Sequence, residues 1–333
     1  MKNKNKIICV FLLSLFILSV FASSVIAQEN WWAHSPKNGK QYVIGYNPRA
    51  RLSPVWSILL LQAQKTATEL GIDLRVLDIE SESDAIGQAT VIEDFITQDV
   101  DFIITCPVDQ KAFMGSLIKA QDAKIPLGQV LEIGATPGIN TAFWIGTNDY
   151  IGSVKLADAA AQFMNYKANV IFLQGVIGQY GSETRQRAFE DTFKLYPNIK
   201  IIAKSPANWE REKGTKVMED LMVQFGDQTD LIMAFNEEMG IGAARAYEAA
   251  GKKCPPIFSY NGHLEALTKT KDGVLTMTVD MNWASIGEAM IRQALAILKG
   301  EKPMGERIDI PVNLVNPGNI DFFIKKLVDL GIK

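Results

Sequence analysis

Short apolar runs alternate with longer amphipathic segments along most of the chain. The first series of apolar runs predicts strands at 42–46, 73–77, 102–105, 127–131 and 142–146. A second series predicts strands at 170–174, 199–204, 231–234, 256–260 and 274–279. Helical periodicity separates these runs, at 53–70, 83–98, 181–195, 210–225, 237–251 and 264–271. Because strands alternate with helices of this length, the pattern indicates βαβ units and parallel sheets.

The two series predict an α/β protein with two lobes, each built on a doubly wound parallel sheet. A chain of 333 residues exceeds the length that one hydrophobic core usually supports, which favours two domains. After the second series, the pattern predicts a helix at 284–299, a strand at 308–312 and a closing helix at 320–330. We expect the chain to return to the first lobe after Met281 and to cross again near Asn313. Three connecting strands form a hinge in this scheme, and hinged lobes close around ligands.

The N-terminal residues have the pattern of a secretory signal peptide. Three lysines within the first six residues precede an uninterrupted apolar stretch at 7–22, and small residues follow it. The stretch is shorter than the roughly 20 residues that a membrane-spanning helix needs. We place cleavage after Ala27, with Ala22 as the alternative, and we expect the mature protein in the periplasm.

The signal peptide and the crossings define the predicted domains. The segment 28–40 is an N-terminal extension. The N-terminal lobe comprises 41–147 plus 282–312, and the C-terminal lobe comprises 148–281 plus 313–333.

Charge and composition exclude several classes of function. Cleavage removes three of the 34 basic residues and none of the 37 acidic residues, so the formal net charge changes from −3 to −6. This acidic balance argues against nucleic-acid binding, which needs a basic surface. His34 and His263 have no histidine or cysteine at metal-ligand spacing, and Cys106 and Cys254 are expected to be free thiols. Since no phosphate-binding loop or nucleophile motif is present, we expect no cofactor and no catalysis.

Aromatic and polar side chains follow two strands of the second series. The segment 208–211 reads Asn-Trp-Glu-Arg, and the segment 235–238 reads Phe-Asn-Glu-Glu. In an open α/β sheet, ligands collect in the crevice beyond the carboxyl ends of the strands. These segments therefore predict a cleft that binds a small solute.

Several short segments, read together, are typical of one protein family. They are Ile-Gly-Thr-Asn-Asp at 145–149, Val-Ile-Phe-Leu-Gln-Gly at 170–175, Pro-Ala-Asn-Trp at 206–209, Asn-Glu-Glu-Met-Gly-Ile-Gly-Ala at 236–243 and Lys-Gly-Glu-Lys at 299–302. In these segments the chain resembles the type I periplasmic solute-binding proteins of ABC sugar transporters, the ribose- and galactose-binding family. The resemblance extends from about Gln41 to Asn313.

The resemblance implies that aromatic rings and polar side chains hold a sugar between the lobes. Trp56 and Trp209 match the positions of the family's stacking aromatics, and Arg185 matches an arginine that binds sugar oxygens. A guanidinium group suits adjacent hydroxyls because it offers a planar fork of donors. Asn236 matches a family amide, and Asn261 stands where relatives usually carry an aspartate.

Other predicted contacts lie where the chain departs from the family pattern. Ser53 would cap the first helix and could offer its hydroxyl to the ligand, and Arg51 could reach the same rim. Glu132 replaces the family's aspartate–arginine pair after the fourth strand. Where relatives carry a glutamine, Asp280 or Asn282 must provide the ligand contact in this chain.

The resemblance implies an exported, monomeric binding protein that closes over a sugar and delivers it to an ABC permease. One alternative is a sensor of a small signal that docks on a membrane receptor kinase. The segment 53–56, Arg185 and the segment 281–282 also resemble the autoinducer-2-binding branch, which carries a further arginine where this chain has Asp280. Two more alternatives stay open: a quaternary-amine cage, in which the tryptophans act with Glu132 and Asp280 through cation–π attraction, and an enzyme acting on an exported substrate.

Overall fold

The computed structural model describes residues 32–49, 54–80, 84–109, 114–131 and 138–332. The predicted signal peptide and its cleavage site lie outside these residues. Among the described helices, none combines the length and the apolar character that a bilayer-spanning segment needs.

Strands and helices alternate along most of the described chain. The strands are β1 Val43–Asn47, β2 Asp73–Val76, β3 Phe102–Thr105, β4 Leu127–Val130, β5 Thr141–Gly146, β6 Ala168–Gln174, β7 Ile199–Pro206, β8 Leu231–Ala234, β9 Ile257–Asn261, β10 Met277–Asp280, β11 Arg307–Asp309 and β12 Asn313–Val315. The helices are α1 Pro54–Leu70, α2 Ala85–Thr97, α3 Met114–Asp122, α4 Asp149–Phe163, α5 Tyr180–Phe193, α6 Arg211–Phe225, α7 Glu237–Ala249, α8 Leu264–Lys271, α9 Trp283–Leu298 and α10 Ile320–Asp329.

The strands form two six-stranded sheets, one in each lobe. The first sheet has the order β11-β5-β4-β3-β1-β2, and all its neighbouring strands are parallel. The second has the order β12-β10-β9-β8-β6-β7, and only the β10–β12 pair is antiparallel. Central strands such as β3 and β8 are buried along their whole length, because helices cover both faces of a parallel sheet. The predicted fold class is confirmed.

Three chain segments connect the two sheets. The first runs from β5 to α4, the second from β10 to α9, and the third from β11 to β12. Helix α9 packs on α1 beside the first sheet, whereas α10 packs on α8 beside the second. Three adjacent crossings of this kind make a hinge between the two lobes.

Two predicted strands differ from the structure. The run predicted as one strand at 308–312 is divided into β11 and β12, which join different sheets. Pro311 lies at the break, and a proline has no N–H group to donate to a sheet ladder. Strand β10 begins three residues later than the predicted 274, because the N–H groups of Val274 and Leu275 donate to the carbonyl of Lys269 at the end of α8.

Candidate functional site

Residues that follow the carboxyl ends of strands in both sheets line one cleft. Its volume is about 820 Å³. Its walls include Arg49, Trp56, Glu80, Leu131, Asp149, Arg185, Trp209, Asn236, Asn261, Met281 and Trp283. The structure thus brings together five of the predicted contacts, which are Trp56, Arg185, Trp209, Asn236 and Asn261. Arg51, Ser53 and Glu132 lie outside the described residues.

Arg185 projects from α5 and makes several contacts in the second lobe. Its Nε atom donates to Asp149 at 3.0 Å, and one Nη1 hydrogen bond goes to the carbonyl of Phe235. The same Nη1 lies 3.4 Å from Oδ1 of Asn261, and Nη2 lies 3.4 Å from the sulfur of Met281. These contacts use four of the five guanidinium N–H groups, which leaves one Nη2 hydrogen for a ligand.

The guanidinium of Arg185 is neutralised and stacked within the protein. Its carbon atom lies 4.0 Å from the ring centroid of Tyr260 and 5.5 Å from that of Trp209. Burial raises the pKa of Tyr260, and the charge of Asp149 adds to the increase, so the phenol remains neutral. Because Asp149 pairs with Arg185 at low exposure, this part of the wall presents directed donors without a net charge.

Trp209 lies on a strained stretch of backbone at the rim. Asn208 and Trp209 both adopt positive φ, at 54° and 69°. A strained backbone persists only where its surroundings fix it, and such positions cluster at functional sites. The indole Nε1 donates to Gln179 at 2.7 Å, and a Cβ atom on Gly175 would lie 2.0 Å from the ring. The absence of a side chain at Gly175 therefore lets the indole pack closely against the end of β6.

Asn236 fixes the start of α7 and also the Trp209 segment. Its Oδ1 accepts from the N–H of Met239 at 2.9 Å, which caps the helix. Its Nδ2 donates to the carbonyl of Trp209 at 3.0 Å. Asn236 is thus the N-cap of α7, and its second amide hydrogen is still free to meet a ligand.

Trp56 packs edge-to-face against Trp283, with 5.7 Å between the ring centroids. Trp283 was not among the predicted site residues. It is the first residue of α9, and its Nε1 donates to the carbonyl of Asn261 at 2.7 Å. The sequence does place Trp283 two residues after the predicted crossing at Met281, where a tryptophan side chain can contact both lobes. The indole of Trp283 thus contacts Trp56 on one side of the cleft and Asn261 on the other.

Asp280 and Asn282 lie in the hinge and are not part of the cleft wall. Oδ1 of Asp280 accepts from the N–H of Asn282 at 2.8 Å, and its Oδ2 lies 3.4 Å from Nδ2 of Asn313. Asn282 has a left-handed backbone with φ of 58°, and its Oδ1 accepts from Lys326 at 2.6 Å. Burial raises the pKa of Asp280. The two residues join two crossing segments to helix α10.

An ionic cluster that the sequence did not predict lies at the rim of the second lobe, and its members Arg211 and Glu238 line the cleft. His263 places its Nε2 atom 3.3 Å from both Glu237 and Glu238. Arg211 donates to both oxygens of Glu238 at 2.8 Å and also pairs with Glu265. Burial opposes ionisation of Glu238, but hydrogen bonds from His263 and Arg211 outweigh it and lower the pKa of Glu238 to about 2.

The pKa of His263 is shifted upwards, in the opposite direction to that of Glu238. Burial favours the neutral imidazole, but the neighbouring carboxylates outweigh burial and raise its pKa.

Within the described ranges, no group of three His, Cys, Asp or Glu side chains has an arrangement that could hold a metal ion.

Comparison with known proteins identifies the family of this chain. The periplasmic binding protein domain family matches residues 44–302, which is most of the chain. The chain belongs to this family. The type I periplasmic binding protein assignment made from the sequence segments is confirmed.

Curated relatives of the periplasmic binding protein family span most of this chain. The ribose import binding protein of Haemophilus influenzae is 32% identical over 262 residues, which cover 79% of this chain and 86% of that protein. The xylitol-binding protein of Mycolicibacterium smegmatis is 29% identical and covers 74% of this chain and 70% of its own length.

A solved structure agrees with the family assignment. An ABC transporter solute-binding protein from Actinobacillus succinogenes, with bound D-allose, superimposes with a TM-score of 0.79 at 26% identity. The superposition covers 85% of this chain and all of that one.

Proposed function

We propose that this protein is an exported solute-binding protein that captures a sugar or polyol in the cleft and delivers it to an ABC importer. The observation that carries the proposal is the cleft between two hinged sheets, in which directed polar donors lie beside the half-buried indole of Trp209. The relatives named for ribose, xylitol and D-allose support a ligand of this class.

The cleft suits an uncharged, hydroxyl-rich solute. Arg185 is paired with Asp149, and Arg211 is paired with Glu238, so these ions demand no counter-charge from a ligand. The remaining Nη2 hydrogen of Arg185 and the side-chain amides of Asn236 and Asn261 can donate to hydroxyl oxygens. Each such contact disfavours a ligand that lacks the matching group, because a buried donor is then left unpaired.

Trp209, which is half-buried, supplies most of the apolar surface in this proposal, and Trp56, which is 3% exposed, reaches the cleft wall beside it. Sugar rings carry apolar C–H faces, and indole rings offer a large flat area to cover them. Arg51, Ser53 and Glu132 remain predicted contacts from the first lobe. Asp280 and Asn282 act in the hinge, where they hold the crossing segments together.

Closure of the lobes is the step that retains the solute. Three crossing segments connect the sheets, so a rotation about them brings Trp56 of the first lobe towards Arg185 and Trp209 of the second. The closed monomer then docks on a membrane permease. The segment 1–27 directs the chain to the periplasm, and the solute leaves chemically unchanged.

A thermal-shift screen tests the proposal. D-Ribose, D-allose, xylitol, myo-inositol, glycine betaine and amino acids are each added to the mature protein. A solute present at about 100 times its Kd stabilises the native state by about 2.7 kcal/mol, which raises Tm by several degrees. We expect a shift with at least one sugar or polyol, and its recovery unaltered by chromatography. A shift confined to betaine or amino acids, or recovery of an altered product, would refute the proposal.

A further inference from the structure

Glu237 is a carboxylate with no exposed surface, at the first position of α7. Its Oε1 accepts from the N–H of Gly262 at 2.8 Å and from the hydroxyl of Thr278. Its Oε2 accepts from the N–H of His263 at 3.1 Å and lies 3.3 Å from the Nε2 atom of the same residue. A buried carboxylate is costly unless its oxygens are fully hydrogen-bonded, and here both oxygens are.

These contacts converge on a turn that we call the β9 turn, residues 261–263. Asn261 has φ of 131°, a backbone region that residues with side chains rarely occupy. Gly262 has φ of 83°, and a Cβ atom there would lie 2.7 Å from the Cα atom of Asp280. The turn therefore passes close to the hinge in a conformation that depends on its neighbours.

Two side chains hold this conformation through hydrogen bonds to its backbone. Trp283 donates to the carbonyl of Asn261, and Glu237 accepts from the next two N–H groups along the chain. The Asn261 side chain projects from the anchored turn to 3.4 Å from Arg185, in the wall of the cleft. Glu237 itself does not line the cleft, whereas its neighbours Asn236 and Glu238 do.

We propose that Glu237 is a positioning residue for solute binding, which holds the β9 turn so that Asn261 faces the solute beside Arg185. The inference rests on the proposed function, because Asn261 must contact the bound solute for its position to matter. Glu237 acts through the turn and touches no solute atom. Its four contacts go to the β9 turn, to Thr278 of β10 and to His263 at the start of α8, so one carboxylate connects three neighbouring elements at the rim.

The chain contains a matched control for this carboxylate. Asp101 also has no exposed surface, accepts from two backbone N–H groups, those of Lys37 at 3.0 Å and Val43 at 2.7 Å, and lies 3.6 Å from His34. It precedes β3, at the end of the first sheet that faces away from the cleft. Asp101→Asn therefore disturbs an equivalent buried carboxylate without touching the rim.

The first experiment titrates D-ribose, D-allose and xylitol into wild type, Glu237→Gln and Asp101→Asn by calorimetry. The glutamine keeps one acceptor oxygen but points an amide donor at the N–H of His263. We expect both variants to lower Tm. Glu237→Gln weakens binding by about tenfold or more, whereas Asp101→Asn stays within about twofold of wild type. Equal losses of affinity in the two variants would show a merely structural role and overturn the proposal.

A double-mutant cycle locates the effect. In the Asn261→Ala background, Glu237→Gln should no longer change the affinity, although it should still lower Tm. Fully additive losses of affinity would contradict the proposal. Thr278→Val removes a single donor to Glu237 and provides a milder variant should Glu237→Gln fail to fold. It should reduce affinity in the same direction and by less.

Hydrogen exchange provides a measurement that needs no solute. The amides of Gly262 and His263 should exchange about tenfold faster or more in Glu237→Gln than in wild type, and be unchanged in Asp101→Asn. Unchanged exchange in Glu237→Gln would overturn the proposal whatever the affinities. If exchange is faster but none of the three solutes binds wild type, the proposed function fails and the role of Glu237 is reduced to folding of the turn. Faster exchange together with selective loss of affinity supports both.

Discussion

The two rims of the cleft are held by different chemistry. In the first lobe, Gln88 of α2 is fully buried and bonds to Asn47, to the carbonyl of Cys106 and to the N–H of Val108, all uncharged groups. In the second lobe, Glu237, Glu238, His263 and Arg211 form an ionic cluster, of which Glu238 and Arg211 line the cleft. A neutral network is insensitive to pH, whereas an ionic network changes with protonation.

The difference follows from what each rim presents to the cleft. The second rim carries Arg185 and the strained segments at Trp209 and Asn261, so its backbone needs several strong anchors. Charge-assisted hydrogen bonds are stronger than neutral ones. We infer that the ionic cluster of the second lobe orients the polar groups of its rim, whereas the first lobe brings Trp56 to the cleft wall beside Arg49 and Glu80.

Removal of Arg185 should have the largest effect on the ionic rim. Arg185→Ala leaves Asp149 buried without its partner, which costs about 3–5 kcal/mol of unfolding free energy. It should also weaken solute binding by about a hundredfold. Urea unfolding and calorimetry measure the two effects. Arg187→Ala, two residues along the same helix and exposed, is the control, and a comparable loss there would argue against a special role for Arg185.

Loss of the neutral Gln88 network should lower the unfolding free energy strongly, and by the same amount at every pH. Gln88→Leu removes one buried hydrogen bond each from Asn47, the Cys106 carbonyl and the Val108 N–H, and we expect a loss of about 3 kcal/mol of unfolding free energy. Because no titratable group takes part in these bonds, the loss should be the same at pH 3 and pH 7. Urea unfolding at both pH values measures it, and a loss that varies with pH would break the contrast between the rims.

The ionic rim should lose stability in acid. The pKa of Glu238 is lowered to about 2 in the folded protein, against an ordinary value of 4.5. A lowered pKa means that the ionised carboxylate stabilises the fold above about pH 4.5 and that this contribution disappears as pH falls through about 2. Glu238→Gln should therefore be less stable than wild type at pH 7, and the difference should shrink as pH falls from 4.5 towards 2. A constant difference would show that Glu238 acts through packing alone.

The smallest effect is expected at the hinge. Lys326 donates to Asn282 and lies 3.9 Å from Asp280, and it is partly exposed. Lys326→Ala should lower the unfolding free energy by less than about 1 kcal/mol, because Lys326 is partly exposed and the pair is long, at 3.9 Å from Asp280. Lys325→Ala, which removes an exposed pair with Asp329 on the same helix, should be indistinguishable from wild type. Small-angle scattering with and without D-ribose would show whether the Lys326 variant alters closure.

Much of the cleft was predictable because rim positions follow directly from strand ends. Trp209 and Asn236 come just after β7 and β8, and parallel strands deliver such residues to one edge of a sheet. The family resemblance added Trp56, Arg185 and Asn261. The predictions for Asp280 and Asn282 placed them near the cleft but could not show that their side chains face the hinge, since Lys326 lies 44 residues from Asn282 in the chain.

The amino-acid sequence by itself determined most of the strands and helices, the two-sheet architecture and the family, because these depend on local periodicity and short segments. The tertiary structure decided which polar groups meet. Glu237 reaches His263 across 26 residues and Thr278 across 41, and Arg185 reaches Met281 across 96. No local pattern encodes such pairs, since they depend on how neighbouring strands and helices pack. The physical reason is that burial leaves each charge to be satisfied by whichever partner the fold brings within hydrogen-bonding distance.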